Sequence, residues 1–135
     1  MATKGNVLLV EDEADLVFLL KYNLGVGGYR VVSATDARKG LAAARRSAPD
    51  LVLLDMMLPG MSGLEFLKVF REESRAPVLM LSARTDSPTR AMAMRQGADD
   101  YLVKPFSLTA LFSRVESLLR RRGRSRRAAP AARTR

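Results

Sequence analysis

The sequence predicts an α/β protein in which five parallel strands alternate with five helices. Short apolar runs recur along the chain, and each is followed by a stretch of about 10 to 15 residues with helical periodicity. The runs at 51–54 and 78–81 are apolar at every position, as expected for strands that are buried on both faces. Such alternation implies right-handed crossovers and a parallel sheet. Five units of this kind fit a flavodoxin-like, doubly wound sheet of order 2-1-3-4-5 in a three-layer α/β/α arrangement.

The first half of the chain holds three strands and two helices. Strands are predicted at 6–10, 29–34 and 51–55. The first helix is predicted at 13–24 and ends in a cluster of glycines; its proposed inward stripe consists of Leu16, Leu19, Leu20 and Leu24. The second helix begins after a cap at Asp36 and stops before Pro49, and its inward residues are Ala37, Leu41 and Ala44.

The second half adds three helices and the last two strands, which are predicted at 78–82 and 100–103. The third helix starts near Ser62, after the turn signal Pro59-Gly60, and its predicted buried residues are Leu64, Leu67 and Phe70 or their neighbours. The fourth runs from a cap at Ser87 to Gly97 and has no clear apolar stripe. The fifth begins at Ser107, and its predicted inward residues are Leu108, Leu111, Val115, Leu118 and Leu119.

Composition excludes several classes of function. The 135 residues predict one domain with a single core. The chain has no cysteine and no histidine, which rules out disulfides, thiol catalysis, a Ser-His-Asp triad and the commonest zinc ligands. Its apolar runs are far shorter than the roughly 20 residues that span a bilayer, and the N-terminus has no apolar signal region. We therefore expect a cytoplasmic protein that does not enter membranes.

The net charge of +9 comes mostly from one end of the chain. Residues 120–135 contain eight arginines and no acid, which leaves 15 basic residues against 14 acidic ones elsewhere. We therefore predict a folded domain over 1–122 that is nearly neutral up to residue 119, and an arginine-rich, disordered tail over 123–135. The tail is either a solvated linker or a nonspecific binder of nucleic acid or acidic partners, and the domain itself gives no reason to expect nucleic-acid binding.

Polar side chains with complementary chemistry follow four of the predicted strands. Glu11 and Asp12 follow the first strand, Asp55 ends the third, Ser82 ends the fourth and Lys104 follows the fifth. In a parallel sheet of order 2-1-3-4-5 these strand ends lie along one edge, and the first and third strands are neighbours. Three adjacent carboxylates repel one another, and a hard cation such as Mg²⁺ is the natural compensation. An aspartate beside Mg²⁺ is able to act as a nucleophile toward phosphorus and form an acyl phosphate.

The stretches that carry these residues resemble the receiver domains of bacterial two-component response regulators, over about residues 5–122. The resemblance lies in Val10-Glu11-Asp12-Glu13, the segment from Leu54 to Gly63, Leu81-Ser82-Ala83 and the segment from Gly97 to Phe106. It implies a phosphorylation-dependent switch rather than a metabolic enzyme, with the phosphoryl group supplied by a sensor histidine kinase or a phosphotransfer protein.

The resemblance also implies a role for each residue of the site. Asp55 would be the phosphoacceptor. Asp12, Asp55 and the backbone carbonyl of Met57 would bind Mg²⁺ directly, and Glu11 would act through a metal-bound water. Lys104, joined to Pro105 by a cis peptide bond, would contact the phosphoryl group. Ser82 would move toward that group and Tyr101 would then turn inward, which would change the surface of helix 4, strand 5 and helix 5.

The subclass and its output stay open at this point. The ending Leu118-Leu119-Arg120-Arg121 is most similar to regulators that carry a winged-helix DNA-binding domain and dimerise through helix 4, strand 5 and helix 5. Ala110 replaces a glutamate that this subclass usually has, which weakens the expectation of a symmetric homodimer. The chain is expected to be either a single-domain regulator or a fragment of a DNA-binding one.

A rival interpretation is a Mg²⁺-dependent aspartyl phosphatase of Rossmann-like fold. That chemistry needs a second acid two residues after the nucleophile, to protonate the leaving group. Met57 occupies this position and has no proton to give, which argues against the phosphatase.

Overall fold

The computed structural model describes residues 3–128 and contains one five-stranded parallel sheet. The strand order is 2-1-3-4-5, as the sequence predicts. The strands are β1 (Asn6–Val10), β2 (Arg30–Ala34), β3 (Leu51–Asp55), β4 (Val78–Ser82) and β5 (Asp100–Val103). All five residues of β3 and of β4 are buried, which confirms that these strands are covered on both faces.

Five helices cover the two faces of the sheet. They are α1 (Ala14–Val26), α2 (Ala37–Ser47), α3 (Gly63–Glu73), α4 (Ser87–Gln96) and α5 (Leu108–Ala128). One apolar cluster joins the sheet to α2, α3 and α4, and contains Phe66 and Phe70. The second cluster joins the opposite face to α1 and α5, and contains Leu20 and Leu111. The predicted three-layer arrangement is therefore correct.

Four helices begin at side-chain caps, and at the start of α5 the Ser107 hydroxyl accepts the backbone N–H of Ala110 at 3.0 Å. Asp36 accepts a hydrogen bond from the backbone N–H of Lys39, as predicted. Ser62 and Glu65 form a capping box at the start of α3, because each side chain binds the backbone N–H of the other residue. The predicted cap at Ser87 is wrong: Asp86 caps α4, because its carboxylate accepts both the backbone N–H and the hydroxyl of Thr89.

Helix α1 differs from the prediction at both ends and on one face. It begins at Ala14 rather than residue 13 and continues to Val26. Leu20 and Leu24 are buried as predicted, but Leu19 is 45% exposed. At 100° per residue, Leu19 lies a quarter-turn or more from the centre of the buried face, so it cannot share the core with Leu20 and Leu24.

Helices α3 and α5 bury most of their predicted inward residues, and Leu67 and Phe70 of α3 are among them. Phe66 is fully buried in α3, whereas Leu64 is only half-buried at the edge of the same cluster. Along α5, Leu111, Val115 and Leu118 are buried as predicted, and the flanking leucines are half-buried. Helix α5 continues through Ala128, past the predicted domain end at 122, and residues 129–135 of the predicted tail lie outside the described residues.

Arg71 joins the ends of four elements at the edge of the sheet opposite the carboxylates. Its guanidinium donates to the carbonyl oxygens of Gly97, Ser74 and Ala76, at 3.0, 3.2 and 2.6 Å. It also pairs with Asp99 at 2.7 Å, and Asp99 in turn accepts the backbone N–H of Val78. The C-terminal end of α4 is thereby bound to the end of α3 and to the starts of β4 and β5.

Within residues 3–128, no helix combines the length and the apolar character that crossing a bilayer requires.

Candidate phosphoacceptor and metal site

Three carboxylates meet at the carboxyl ends of β1 and β3. Carboxylate oxygens of Glu11, Asp12 and Asp55 lie within 4.8 Å of one another. The register of the sheet explains this proximity, because Val10 of β1 pairs with Leu54 of β3 and the next residue of each strand is an acid. Glu11 and Asp55 are buried, whereas Asp12 is exposed to solvent. The sequence-predicted acidic cluster is therefore present.

Lys104 supplies the positive charge of the cluster. Its Nζ lies 2.9 Å from Glu11 Oε1 and 3.4 Å from Asp55 Oδ1. Burial lowers the pKa of Lys104, but the hydrogen bond to Glu11 and the charges of Asp55 and Glu11 outweigh burial, and the pKa is raised overall. Lys104 is therefore a fixed cation at this edge. The peptide bond between Lys104 and Pro105 is cis, as predicted.

Asp55 is held in an environment that disfavours its ionised form. Burial, followed by the charge of Glu11, raises the pKa of Asp55 from 3.8 to about 6. The backbone N–H of Met57 donates to Asp55 Oδ1 at 3.1 Å and, with Lys104, opposes part of this rise. Because burial and the charge of Glu11 disfavour the ionised Asp55 carboxylate, a cation that binds beside it would stabilise the ionised form.

The chemistry of the donor set fits Mg²⁺. Three carboxylate oxygens within 4.8 Å of one another offer hard, anionic ligands to an ion that prefers oxygen. Glu11 differs from the other two acids because Lys104 already neutralises it and it is 1% exposed. Direct binding by Asp12 and Asp55 and an indirect role for Glu11 stay predictions. The metal-ligand role of the Met57 carbonyl stays a prediction.

Ser82 and Tyr101 are both buried on the neighbouring strands. Ser82 ends β4, and its Oγ accepts the backbone N–H of Arg84 at 3.1 Å and lies 3.8 Å from Met56 Sδ. The ring of Tyr101 is 2% exposed, and its hydroxyl donates to the Arg84 carbonyl at 2.8 Å. Tyr101 therefore already lies inward in this structure, whereas the resemblance implies that it turns inward after phosphorylation.

Three contributors to the site were not identified from the sequence. The Arg84 carbonyl receives the Tyr101 hydroxyl, and the Arg90 guanidinium lies 5.5 Å from the centre of the Tyr101 ring. Neither contact has a sequence signal, because one uses the backbone and the other crosses between α4 and β5. The third contributor is Gly63, which lies close after the turn signal Pro59-Gly60 in the sequence. A Cβ at this position would collide with the Asp55 carbonyl oxygen and with Met56, so the position requires glycine.

Comparison with known proteins identifies the family of the chain and several relatives. The family described as response regulator receiver domain matches residues 7–116. The transcriptional regulatory protein PhoP for alkaline phosphatase synthesis of Bacillus subtilis is 41% identical over 116 residues, which cover 85% of this chain and 48% of PhoP. The transcriptional regulatory protein KdpE of Mycobacterium tuberculosis is 43% identical over 115 residues, which cover 85% of this chain and 51% of KdpE. The chain therefore spans about half the length of these curated relatives.

Solved structures agree with the fold. The BeF₃-activated N-terminal receiver domain of Klebsiella pneumoniae RstA is 29% identical and superimposes with a TM-score of 0.82, covering 85% of this chain and 98% of that one. NtrX of Brucella abortus is 33% identical with a TM-score of 0.86, covering 96% of this chain and 30% of NtrX.

Proposed function

The chain belongs to the response regulator receiver domain family, whose members act in phosphorylation-dependent signalling, and from this premise we propose that it accepts a phosphoryl group on Asp55. The observation that carries the proposal is the position of Asp55: a buried carboxylate with a raised pKa, next to two acids and 3.4 Å from Lys104. A phosphoryl group there would remain in contact with fixed positive charge, which stabilises both the transferring group and the product.

Each surrounding residue has a proposed part in the transfer. A carboxylate oxygen of Asp55 attacks phosphorus, and the bond from phosphorus to the donor's nitrogen or oxygen breaks with its electron pair going to the donor. Asp12, Asp55 and the Met57 carbonyl would hold Mg²⁺, and Glu11 would bind one of its waters. The cation supplies neutralisation of charge on the transferring oxygens. Lys104 leaves Asp55 and pairs with a phosphoryl oxygen, because a phosphoryl group carries more charge than the carboxylate.

The switch is proposed to run from Ser82 to the surface formed by α4, β5 and α5. A phosphoryl oxygen offers the Ser82 hydroxyl a stronger acceptor than Met56 Sδ, so Ser82 should turn toward Asp55. The loop after Ser82 also carries the Arg84 carbonyl that holds Tyr101, so movement of this loop changes the packing of Tyr101 between β5 and α4. The phosphoryl group thus biases a two-state element through contacts that exist in one state only.

The output of the switch is proposed to be an altered affinity of this surface for a partner or a second copy. On this surface, Asp99 contacts Arg71 and Asp100 contacts Arg114 within one chain. Ala110 offers no charge, so a symmetric dimer through α4, β5 and α5 would require these internal pairs to exchange partners. The proposed donor is a sensor histidine kinase or a phosphotransfer protein. The names of the relatives support a longer transcriptional regulator as the setting of this domain.

The alternative of an aspartyl phosphatase gains no support from the site. Met57 occupies the position at which a phosphatase needs its general acid, and its side chain is 70% exposed. No described acid other than Glu11 and Asp12 forms a cluster with Asp55, and both are assigned to the cation.

Intact-mass spectrometry after incubation with acetyl phosphate tests the proposal. We expect one added phosphoryl group that requires Mg²⁺, disappears in Asp55→Asn and persists in Asp36→Asn. The second variant is a matched control, because asparagine caps a helix as well as aspartate does and Asp36 lies at the cap of α2. Labelling that survives in Asp55→Asn, or that does not depend on the cation, contradicts the proposal.

A further inference from the structure

The arginine run that begins at Arg120 has no part in the proposed function. Although a disordered tail is predicted from residue 123, α5 continues through Ala128. Six of the eight arginines of residues 120–135 therefore lie within this helix. They extend over about 10 Å of its axis, at about 1.5 Å per residue. Most of the positive charge of the run therefore belongs to α5.

The part of α5 where the arginines begin packs against the amino end of β1, opposite the carboxylates. A Cβ on Gly5 would lie 3.6 Å from the Asp50 carboxylate and 3.7 Å from the Leu119 side chain. Arg122 lies 4.0 Å from the same carboxylate, which also accepts the backbone N–H of Asn6 at 2.8 Å. The arginine run therefore leaves the domain beside the first residues of β1 and β3.

Three further cations lie on the same rim of the sheet. Lys4 donates its backbone N–H to the Gly28 carbonyl at 2.9 Å, just before β1 and β2 begin. Arg30 donates its backbone N–H to the Gly5 carbonyl at 3.0 Å. Arg46 lies in the last turn of α2, which ends at this rim because α2 runs back from the carboxyl end of β2. All three side chains are exposed, and none forms an ion pair with a described acid.

The acids at this end of the sheet do not cancel these cations. Glu73 is bound by the guanidinium of Arg45 at 2.9 and 2.7 Å, and Asp99 is bound by Arg71 at 2.7 Å. These acids are therefore already neutralised by arginines outside the set. The surface that remains is here called the basic rim, and it comprises Lys4, Arg30, Arg46 and the arginines of α5 from Arg120 onward.

We propose that the basic rim binds the phosphate backbone of a double-stranded nucleic acid. Every cation after Lys104 is an arginine, whose planar guanidinium matches a phosphate group with two hydrogen bonds. A duplex carries about one negative charge per 1.7 Å of its axis and releases condensed counterions when cations bind it. This charge density exceeds what the surface of an acidic protein offers. Residues 116–135 contain no aromatic side chain on which the bases of a single strand would stack.

The number of cations sets the salt dependence of binding. We expect contacts to about six phosphates, so that log Kd rises with the logarithm of salt concentration with a slope of about 5. Affinity should then fall about a thousandfold between about 50 and 200 mM salt. The five residues of β1 separate the basic rim from the carboxylates by about 15 Å, which exceeds the screening length of about 10 Å. Binding therefore needs no phosphoryl group and is independent of the function proposed above.

Fluorescence anisotropy of a labelled DNA duplex of about 24 base pairs, titrated with the full chain at several salt concentrations, tests the proposal. The double change Arg30→Gln with Arg46→Gln should lower the salt slope by about 2 and weaken binding about tenfold or more at about 100 mM salt. The double change Arg124→Gln with Arg127→Gln should have a similar effect, because both pairs contact the same backbone.

A matched control separates local contacts from the loss of net charge. The double change Arg38→Gln with Lys68→Gln removes the same charge from exposed positions in the first turn of α2 and the middle of α3, away from the basic rim. It should leave the salt slope unchanged. Asp55→Asn should bind the duplex as the native protein does, so a failure of phosphorylation and a failure of duplex binding are distinguishable.

Four results would overturn the proposal. One is the absence of binding at about 50 mM salt with up to about 100 μM of the chain. Another is a native salt slope in the variant of Arg30 and Arg46, which would restrict the contact to α5. The third is a single strand that binds as tightly as the duplex. The fourth is displacement of the duplex by polyglutamate at equal charge, which would assign the basic rim to acidic proteins.

Discussion

Asp55→Asn should make the metal-free protein more stable at neutral pH while it abolishes phosphorylation. Asparagine resembles the protonated, neutral carboxyl in shape and can still accept the Met57 N–H. The buried charge and its repulsion by Glu11 are removed, and these are the two largest causes of the raised Asp55 pKa. The native protein should therefore have a lower free energy of unfolding than the variant, because it keeps an ionised carboxylate beside two other acids.

The size of the effect follows from the pKa of Asp55. A rise from 3.8 to about 6 corresponds to about 3 kcal/mol at about 1.4 kcal/mol per pKa unit. Because the site is open to water on the side of Asp12, we expect about 2 kcal/mol of additional stability in the variant near pH 7.5. A raised carboxyl pKa means that the native state binds more protons than the unfolded state. The loss of stability that the ionised Asp55 causes is therefore complete above about pH 6. The advantage of the variant should shrink as the pH falls from about 6 to about 4.

Urea denaturation of both proteins in EDTA, at several pH values, measures this difference. Addition of Mg²⁺ should stabilise the native protein more than the variant and narrow the gap, since the cation binds the ionised site. Asp36→Asn should stay within about 0.5 kcal/mol of the native protein at each pH. If Asp55→Asn is equally stable or less stable at pH 7.5 without metal, the electrostatic account of the site is wrong.

Three further changes test other contacts. Lys104→Met leaves the buried Glu11 without its cation and should lower the free energy of unfolding by about 2 kcal/mol. The same change should tighten Mg²⁺ binding, which calorimetry measures, and unchanged metal affinity would contradict the charge pairing. Arg71→Lys removes most of the hydrogen bonds to four acceptors and should lower the free energy of unfolding by about 3 kcal/mol in urea titrations. The change Arg75→Lys at an exposed neighbouring residue should alter that free energy little. Asp86→Ala should increase hydrogen exchange in the first turn of α4, and Asp86→Asn should not, because only alanine removes the cap. The Thr89 hydroxyl, its backbone N–H and the nearby arginine hold the pKa of Asp86 at about 2, so this cap should be constant between about pH 5 and 8 and fail only as the pH falls toward about 2.

The sequence was sufficient for the sheet and for the acidic cluster. The alternation of elements predicted a parallel sheet and fitted the order 2-1-3-4-5, which the structure confirms. In that order β1 and β3 are neighbours, so the acids at their carboxyl ends, Glu11, Asp12 and Asp55, lie close together. The chemistry of such a cluster is determined by residue type, and for this reason the Mg²⁺ interpretation could be made before any coordinates were known.

Other features depend on information that a linear pattern does not contain. The α4 cap was misassigned because Asp86 and Ser87 are both good caps, and only the backbone conformation decides between them. Leu19 was placed in the core because leucine is apolar, although its angular position on α1 directs it outward. The inward Tyr101 depends on the Arg84 carbonyl, and a backbone acceptor leaves no trace in composition.

The bonds made by Arg71 have a mechanical consequence for α4. One end of this helix is tied at Gly97 to three other segments through a single guanidinium, whereas the other end is held by the Asp86 cap at the surface. Any displacement that begins near Ser82 therefore reaches the loosely held end first, and the helix should pivot about Gly97 rather than slide as a whole. Its motion would be greatest beside the strand ends that carry the carboxylates and smallest at the opposite rim.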